Sequence, residues 1–598
     1  MPPVKIRGTQ KPKNTKKTIL RLVSYMGKFK ILWPLVFFFV IAASLAEVAG
    51  TYLLKPALNE FIVPFIGKQN VDLSAFIRLI FTMLAIYAAG VLSSYASERI
   101  LIHISTKTLF NIRRDLFHHM EKLPLKFFDT HPHGVLMSLY TNDTDTLREM
   151  FSMSVPQLFS TFFQVSGILI MMMILSLPLT LLVAGTTVLI MFLSSKIGKK
   201  SGMAFRAQQE NIARVNGYIE ELIEGQRVVK VFTREKKTNE KFDILNENLC
   251  KAGTSAMSYV SVLGPIMNNL SHVQYALTAI TGAFMVISGK IDIGTVASFL
   301  QSIRSFSRPL TQVSQQFNSI LNALAGAERI FAAIDEKTEE DSGEIILQSQ
   351  NEKSGKIIFD DVSFGYEPNV EVLHKINLRA ESGRKIALVG STGSGKTTIT
   401  NLLTRFYDLE AGKGDITYDG IPLKKIKKDS LRSSLGMVLQ DTHLFTGTIR
   451  DNIKYGNLSA SEEEIFAAAK LANADFFIRH LPDGYDTVIA GDGGNLSQGQ
   501  RQLLAIARAA VASPPVLILD EATSSIDTRT ETLIQQGMDR LMHGRTVFVI
   551  AHRLSTVRNA DEIIVLEKGN IIERGNHEQL LSKKGRYYAL YTGTFKLE

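Results

Sequence analysis

The side chains best suited to chemistry stand in a glycine-rich stretch, KIALVGSTGSGKTTI, at residues 385–399. Its glycines, lysine and threonine fit the spacing G-x-x-x-x-G-K-[ST], in which backbone N–H groups surround the phosphates of a nucleotide. The lysine then reaches the β- and γ-phosphates, and the hydroxyl binds Mg²⁺. A predicted strand precedes the loop and a predicted helix follows it, so a glycine-rich turn without a ligand is the weaker interpretation. The predicted nucleotide contacts are Gly390, Ser391, Thr392, Gly393, Ser394, Gly395, Lys396, Thr397 and Thr398.

A second stretch, PPVLILDEATSSID at 514–527, has the pattern of a buried strand that ends in two carboxylates. Asp520 is placed to hold Mg²⁺ through water, as a carboxylate on the second strand of a P-loop ATPase does. Glu521 follows directly and can polarise the water that attacks the γ-phosphate. An Asp-Glu pair at a strand end can also be an ordinary cap, but the phosphate loop in the same chain favours the catalytic interpretation.

A third stretch, GNLSQGQRQ at 494–502, contains neither a group of metal ligands nor a pair of nucleophile and base. Ser497 can cap the helix predicted to follow it, and the free N–H groups at the start of a helix attract phosphate. These residue types alone leave open what the third stretch faces.

The framework for these motifs is predicted from the alternation of short β-branched runs and helical patterns that begins near Lys356. This alternation is typical of an α/β domain. We expect the domain to cover residues 356–598, and the acidic, polar residues 336–355 to form a linker that precedes it.

The residues before the linker have a different composition, which predicts a membrane domain. Residues 150–195 contain no charged side chain, and about 20 apolar residues cross a bilayer as a helix, so this run accommodates two spans. Pro178 can start the second of them. Four further spans are predicted at 31–54, 75–97, 254–288 and 293–322. The predicted fold is a six-helix α transmembrane domain at 31–335, followed by a cytoplasmic α/β P-loop ATPase domain.

The net charge of +10 is distributed around these spans. Lysines and arginines cluster in residues 1–30, without an acidic residue among them, and in the long segments 98–150 and 196–251 between spans. Under the positive-inside rule this places both termini and both long segments in the cytoplasm. Nucleic-acid binding is disfavoured because no base-reading or stacking motif accompanies the charge. The single cysteine, Cys250, excludes an internal disulfide.

Several polar residues fall inside the predicted spans. Such residues mark a substrate pathway or a water-filled cavity, or they support helix packing, and the sequence leaves both interpretations open. They are Glu47, His272, Gln274, Arg304 and Arg308.

With these motifs in place, almost the whole chain resembles the ATP-binding cassette transporters, specifically the exporter half-transporters. LSQGQ at 496–500 is similar to the family's LSGGQ sequence, with Gln498 in place of the middle glycine. Four further residues match family motifs in the expected order: the adenine-stacking aromatic, the switch glutamine, the D-loop aspartate and the switch histidine. They are Tyr366, Gln440, Asp527 and His552.

The resemblance implies a dimer of cassettes arranged head to tail, in which each LSQGQ loop covers the ATP held by the other chain. Ser497, Gly499 and Gln500 would contact that ATP. Mg²⁺ would be held by Thr397, Gln440 and Asp520, and catalysis would involve Glu521, His552 and Gln440. One departure is Gly491, which stands where the family usually has a glutamate. This departure puts in doubt the contact that the family makes through the loop before LSQGQ, but it does not affect the expected ATP binding.

The resemblance also implies two coupling helices, near residues 130–140 and 228–238. The expected function is ATP-driven export of hydrophobic or amphipathic substrates from a bacterial inner membrane, with membrane lipid and a second half-transporter as partners. Open alternatives are a lipid or lipid A-type flippase, a multidrug pump, the catalytically competent half of a heterodimer and, less favoured, an importer. An ATP-gated channel or sensor is a rival without specific support. A soluble cassette ATPase of DNA repair or translation is disfavoured by the apolar spans.

Overall fold

The computed structural model describes residues 14–66, 73–347, 354–367, 370–440, 442–521, 527–551 and 557–593, without the side chains of residues 28, 263, 307–312, 314 and 521. The chain forms two compact units. The first comprises Met1–Glu121 and His133–Glu336, and the second comprises Lys122–Pro132 and Lys337–Glu598.

The first unit is helical, and its longest helices continue far beyond the length of a bilayer span. Its described helices are α1 (Thr15–Met26), α2 (Leu32–Tyr52), α3 (Leu54–Phe61), α4 (Ser74–Met120), α6 (His133–Tyr140), α7 (Asn142–Glu149), α8 (Val155–Leu175), α9 (Leu177–Glu224), α10 (Gln226–Val231), α11 (Glu235–Ile287) and α12 (Ile293–Ile334). A π-helical turn, Met150–Ser154, joins α7 to α8. The short helix α5 (Leu125–Thr130) falls in the second unit.

Five helical segments among the described residues are long and apolar enough to cross a membrane. They are Leu32–Phe65, Ser74–Met120, His133–Leu175, Leu177–Glu224 and Glu235–Ile287. The sixth predicted span, 293–322, lies on α12, which contains side chains outside the described set, so this span stays a prediction. The expected division between 150 and 195 is found where α8 ends and α9 begins. Ser176 is extended there, and Thr180 Oγ1 donates to the carbonyls of Met172 and Ser176, both at 2.8 Å.

The polar residues of the predicted spans have different surroundings. Gln274 is buried, and its Nε2 donates to the Val183 carbonyl at 3.1 Å and to Thr186 Oγ1 at 2.8 Å, which is a helix-packing role. The Arg304 guanidinium lies 5.1 Å from the centre of the Tyr275 ring.

For the other three residues both interpretations stay open. Glu47 and His272 are exposed in this single chain, and the Arg308 side chain is outside the described residues.

The second unit is an α/β domain built on a six-stranded sheet. Its described strands are β1 (Ile357–Phe364), β2 (Leu373–Ala380), β3 (Lys385–Val389), β4 (Asp415–Tyr418), β5 (Ile421–Pro422), β6 (Leu435–Val438), β7 (Gly447–Thr448), β8 (Val488–Ile489), β9 (Val516–Glu521), β10 (Thr546–Ala551), β11 (Glu562–Glu567) and β12 (Asn570–Gly575). Its helices after α5 are α13 (Lys396–Leu403), α14 (Lys428–Ser433), α15 (Ile449–Lys454), α16 (Glu462–Leu471), α17 (Asp475–Arg479), α18 (Gln498–Ala512), α19 (Thr528–Met542), α20 (His577–Lys583) and α21 (Arg586–Tyr591).

The central sheet has the order β12-β11-β3-β10-β9-β6, and β11, β3, β10, β9 and β6 run parallel. Alternate residues of its strands enter two separate cores because both faces of the sheet are covered. Leu517 and Leu519 pack with the helices of one face, whereas Val516 and Ile518 pack with a second, four-stranded sheet of order β2-β1-β4-β5. The six-stranded sheet places the carboxyl ends of β3, β9, β10 and β6 at one edge.

The residues expected to form a linker begin inside the second unit as a docked segment, which we call the acidic segment (residues 337–347). Glu339 accepts hydrogen bonds from both terminal nitrogens of Arg432, at 3.0 and 2.6 Å, and from Lys428 Nζ at 3.1 Å. Asp341 Oδ2 accepts from the Lys428 backbone N–H at 2.9 Å. Hydrogen bonds to Arg432 and Lys428 outweigh the opposing effect of burial and hold the pKa of Glu339 below its ordinary value. The acidic segment is therefore attached to α14 by charge.

Candidate functional site

The glycine-rich loop connects β3 to α13, in the strand–loop–helix order that the sequence predicts. Gly393 and Gly395 have φ values of 78° and 103°, which side chains with a Cβ rarely adopt. At Gly390 a Cβ would collide with the Leu566 carbonyl oxygen on β11. The loop therefore depends on glycine both for its conformation and for its close approach to the sheet.

Lys396 extends across this loop. Its Nζ donates to the carbonyls of Gly390 at 2.8 Å and Ser391 at 2.9 Å, and the residue is 7% exposed. Burial lowers the pKa of Lys396, and the charge of the Asp520 carboxylate opposes that change. The loop thus encloses an ammonium group with its own carbonyls, and this group can supply a positive charge to an anion in the loop.

The remaining side chains of the loop divide into exposed and buried groups. Ser391, Thr392 and Thr397 are exposed, whereas Ser394 and Thr398 are buried. The Ser394 hydroxyl is buried and has no hydrogen-bond partner among the described residues. A buried hydroxyl without a partner is costly, so its position fits contact with a polar ligand.

The sheet brings the predicted carboxylates to the same edge as the loop. Asp520 and Glu521 end β9, which is separated from β3 only by β10, and all three strands run parallel. Glu521 pairs through its backbone with Ala551 of β10, but its side chain is outside the described set. His552 follows Ala551 and also lies outside the described residues.

The oxygen-bearing groups near this edge suit a hard cation. Gln440 is exposed and follows the end of β6, the strand beside β9. The Gln440 amide, the Thr397 hydroxyl and the Asp520 carboxylate all offer the oxygen ligands that Mg²⁺ takes. The residues present therefore fit the expected ion by type, and Gln440 and Asp520 also stand at the ends of neighbouring strands.

Tyr366 lies close to the start of α13. Its hydroxyl donates to Thr398 Oγ1 at 3.1 Å and accepts from Asn401 Nδ2 at 3.1 Å. Its ring packs edge-on against Tyr407, with 4.8 Å between the ring centres, and against Phe364 at 5.2 Å. The predicted adenine-stacking ring is thus attached to the helix that follows the phosphate loop.

The LSQGQ loop is a helix N-terminus, as predicted. Ser497 caps α18: its Oγ accepts from the Gln500 N–H at 3.2 Å, and its own N–H donates to Gln500 Oε1 at 2.9 Å. Ser497 and Gln498 are exposed and Gly499 is buried. In the described part of the chain, no hydrogen bond or ion pair joins this loop to the phosphate loop. The cap uses the Gln500 N–H, and no described residue accepts a hydrogen bond from the N–H groups of Gln498 and Gly499.

Asp527 also caps a helix. Its Oδ2 accepts from the Thr530 N–H at 2.9 Å at the start of α19, and the residue is exposed. The residues that join it to β9, 522–526, are outside the described set.

Asp492, to which no motif gives a role, lies where the segment before LSQGQ meets the segment after β6. Its Oδ1 accepts from the Leu444 N–H and lies 3.1 Å from the His443 ring nitrogen. The hydrogen bond from Leu444 lowers the pKa of Asp492. Asp492 has a φ of 53° beside Gly491, and the turn between them orients the carboxylate. The positions before LSQGQ thus connect to the segment that follows β6, without the glutamate that the family usually has.

Comparisons with known proteins cover both units. A family model described as the ABC transporter transmembrane region matches residues 33–310, and one described as ABC transporter matches residues 373–524. A Bacillus subtilis (strain 168) protein described as an uncharacterized ABC transporter ATP-binding protein is 42% identical over 98% of this chain and 96% of its own length.

Two further relatives have more specific descriptions. A fatty acid ABC transporter ATP-binding/permease protein of Mycobacterium tuberculosis is 41% identical over 87% of this chain and 82% of its own length. An ATP-dependent lipid A-core flippase of Syntrophus aciditrophicus is 37% identical over 91% of this chain and 89% of its own length.

Proposed function

Because the chain belongs to the ATP-binding cassette transporters, with the transmembrane region and the ATPase domain in one polypeptide, we propose that two copies form an exporter of acyl-chain lipids. ATP hydrolysis coupled to transport, and a multi-pass place in the membrane, follow from the family. The observation that carries the ATP-driven part of the proposal is the glycine loop. Its carbonyls accept hydrogen bonds from Lys396 Nζ, and it lies at the same sheet edge as Asp520.

The lipid substrate is proposed from the named relatives, which transport fatty acid or flip lipid A-core. A multidrug pump is the second candidate. The proposed location is a bacterial inner membrane with both termini in the cytoplasm, supported by the bacterial relatives and by the basic segments between spans. We propose residues 31–335 as the transmembrane domain and 356–598 as the ATPase domain.

In the proposed mechanism each predicted group has one task. The N–H groups of residues 390–398 bind the phosphates, and Lys396 neutralises charge on the β- and γ-phosphates. The Tyr366 ring stacks on adenine. Glu521 is assigned the task of orienting the attacking water, and His552 and Gln440 are assigned to assist catalysis. Mg²⁺, held by Thr397, Gln440 and Asp520, would neutralise charge that develops on the phosphates.

The second chain completes the site in this proposal. Ser497, Gly499 and Gln500 at the start of α18 contact the γ-phosphate bound by the other copy, and Asp527 lies beside that junction. Gln498 is exposed and replaces a glycine without removing any of these groups. A second copy of the same chain is proposed because the sequence retains every expected catalytic residue.

Reconstitution tests the function directly. The purified chain in liposomes should move a fluorescent fatty acid or a fluorescent phospholipid between leaflets or into the lumen only when ATP and Mg²⁺ are present, and a Glu521→Gln chain is the control. Movement of a cationic dye but not of either lipid would support a multidrug pump. ATP hydrolysis without net movement of any probe would refute the exporter.

A further inference from the structure

Tyr407 lies between the nucleotide site and the short helix α5, all within the second unit. Its hydroxyl donates to Asp129 Oδ2 at 2.6 Å. Asp129 belongs to α5, which the chain inserts between the long helix α4 and α6. The ring of Tyr407 lies edge-on to the Tyr366 ring, with 4.8 Å between the ring centres and 85° between the ring planes. One side chain therefore contacts both the predicted adenine-stacking residue and a segment continuous with the membrane helices.

The contacts continue from Tyr366 to the phosphate loop. The Tyr366 hydroxyl donates to Thr398 Oγ1, and this contact does not use the proton of the Thr398 hydroxyl. Asn401, one helical turn further along α13, donates to the same tyrosine oxygen. A phosphate that reorients Thr398, or a base that stacks on the ring, thus acts on Tyr366 directly and on Tyr407 behind it.

The backbone on which Tyr407 stands is fixed by buried cations. Arg405 is 4% exposed and donates to the carbonyls of Leu423 at 3.1 Å and Ile426 at 2.7 Å. Lys428 is also 4% exposed, and its Nζ donates to Asp408 at 2.7 Å. These bonds hold the backbone on both sides of Tyr407 in place.

The side chain can move within this fixed loop because it borders a cavity. The cavity has a volume of about 330 Å³ and is lined by Lys126, Glu340, Tyr366, Glu367 and Tyr407, among others. Close-packed interiors resist small displacements, whereas groups beside open space can rearrange at low cost. Burial, followed by the Asp129 carboxylate, raises the pKa of Tyr407, so the hydroxyl remains a hydrogen-bond donor at physiological pH.

We propose that Tyr407 is a positioning residue that links occupancy of the nucleotide site to the position of α5, through its ring on Tyr366 and its hydroxyl on Asp129. The proposal rests on the proposed function, because it requires ATP to bind at the phosphate loop. The link to α5 depends on the hydrogen bond from the Tyr407 hydroxyl to Asp129. Substitution of Tyr407 by phenylalanine removes this bond and keeps the ring.

The test places a reporter on α5. Cys250 is the single cysteine and is exposed, so a Cys250→Ser chain is free of thiols, and Lys126→Cys then offers one exposed site on α5 for an environment-sensitive fluorophore. The full-length labelled protein is titrated with ATP without Mg²⁺, and ATP affinity is measured separately with a fluorescent nucleotide. ATP should change the label's fluorescence saturably.

Two variants should break the link while leaving the nucleotide site in place. Tyr407→Phe keeps the ring on Tyr366, so the Kd for ATP should stay nearly unchanged while the amplitude of the fluorescence change falls at least about fivefold. Asp129→Ala, at an exposed position, should give the same loss, and the double variant should lose no more than either single one.

The control is Tyr588→Phe, which removes a tyrosine hydroxyl from α21 at the surface and should leave the full amplitude. Full amplitude in Tyr407→Phe or in Asp129→Ala would overturn the proposal, and so would an equal loss in Tyr588→Phe or additive losses in the double variant. If the parent chain binds no ATP, the proposed function fails first, and the binding assay alone reveals it.

Discussion

Replacement of Ser497 by alanine separates a structural role of this residue from a role in catalysis. Its Oγ caps α18 by accepting from the Gln500 N–H, and loss of such a cap costs about 1 kcal/mol of stability. Most of α18 is buried in the core of the second unit, so the helix should persist. If the hydroxyl also contacts a γ-phosphate, its loss removes a charge-assisted hydrogen bond of about 1.5–3 kcal/mol, which lowers the ATPase rate roughly 10- to 150-fold.

The chain contains a matched control for this change. Ser461 caps α16 with the same reciprocal geometry: its Oγ accepts from the Glu464 N–H at 3.3 Å, and its N–H donates to Glu464 Oε2 at 2.8 Å. Ser461→Ala should therefore cost the same stability, about 1 kcal/mol, with little effect on ATP hydrolysis.

Thermal melting and steady-state ATPase assays on the two purified variants give the comparison. Equal losses of activity in Ser497→Ala and Ser461→Ala would refute the reasoning, because the effect would then come from the cap alone. Unchanged hydrolysis in Ser497→Ala would refute the phosphate contact.

Three other variants test the site and its support. Lys396→Ala should weaken ATP binding roughly tenfold or more, since it removes the charge that the loop encloses; undiminished binding in a titration would contradict this role. Glu521→Gln should leave ATP binding intact and lower turnover about 10²- to 10⁴-fold, and an unaltered rate would remove its assigned role. Glu339→Gln should lower stability by about 1–3 kcal/mol, because Arg432 and Lys428 lose a charged partner. A melting temperature equal to that of the parent would show that the acidic segment contributes no stability.

Local patterns predicted the centre of the site because each element depends on neighbouring residues. The glycine loop from Gly390 to Thr398 and the strand that ends at Asp520 lie where the sequence places them, and Ser497 caps its helix as expected. The roles of Glu521, His552 and Gln440 stay predictions. The central parallel sheet follows from the same alternation of strands and helices.

Contacts between residues distant in sequence could not be predicted in this way. The bond between Tyr407 and Asp129 joins positions 278 residues apart, and those from Arg432 and Lys428 to Glu339 span about 90 residues. No local periodicity encodes such pairs. The acidic, polar composition of the acidic segment is typical of a linker, but it equally suits a segment that binds basic side chains.

The first coupling helix, expected near 130–140, stays a prediction. Two short helices lie near this position, Leu125–Thr130 and His133–Tyr140, and the former belongs to the second unit. Pro132 disfavours a helical conformation at His131, which is extended, so the helix ends at Thr130 and a separate one starts at His133. The second expected position, 228–238, overlaps Gln226–Val231, whose Val228 and Val231 are exposed.

The central claim is that each ATP lies between the phosphate loop of one chain and the LSQGQ loop of the other. Two mixed dimers, prepared separately in membranes of the same composition, test it most directly. One pairs a Ser497→Ala chain with a Glu521→Gln chain, and the other pairs a chain carrying both changes with an unaltered chain. Head-to-tail sites predict that the first dimer keeps one intact site and hydrolyses ATP far faster than the second. The reverse order, with activity only when both changes share a chain, would contradict the account.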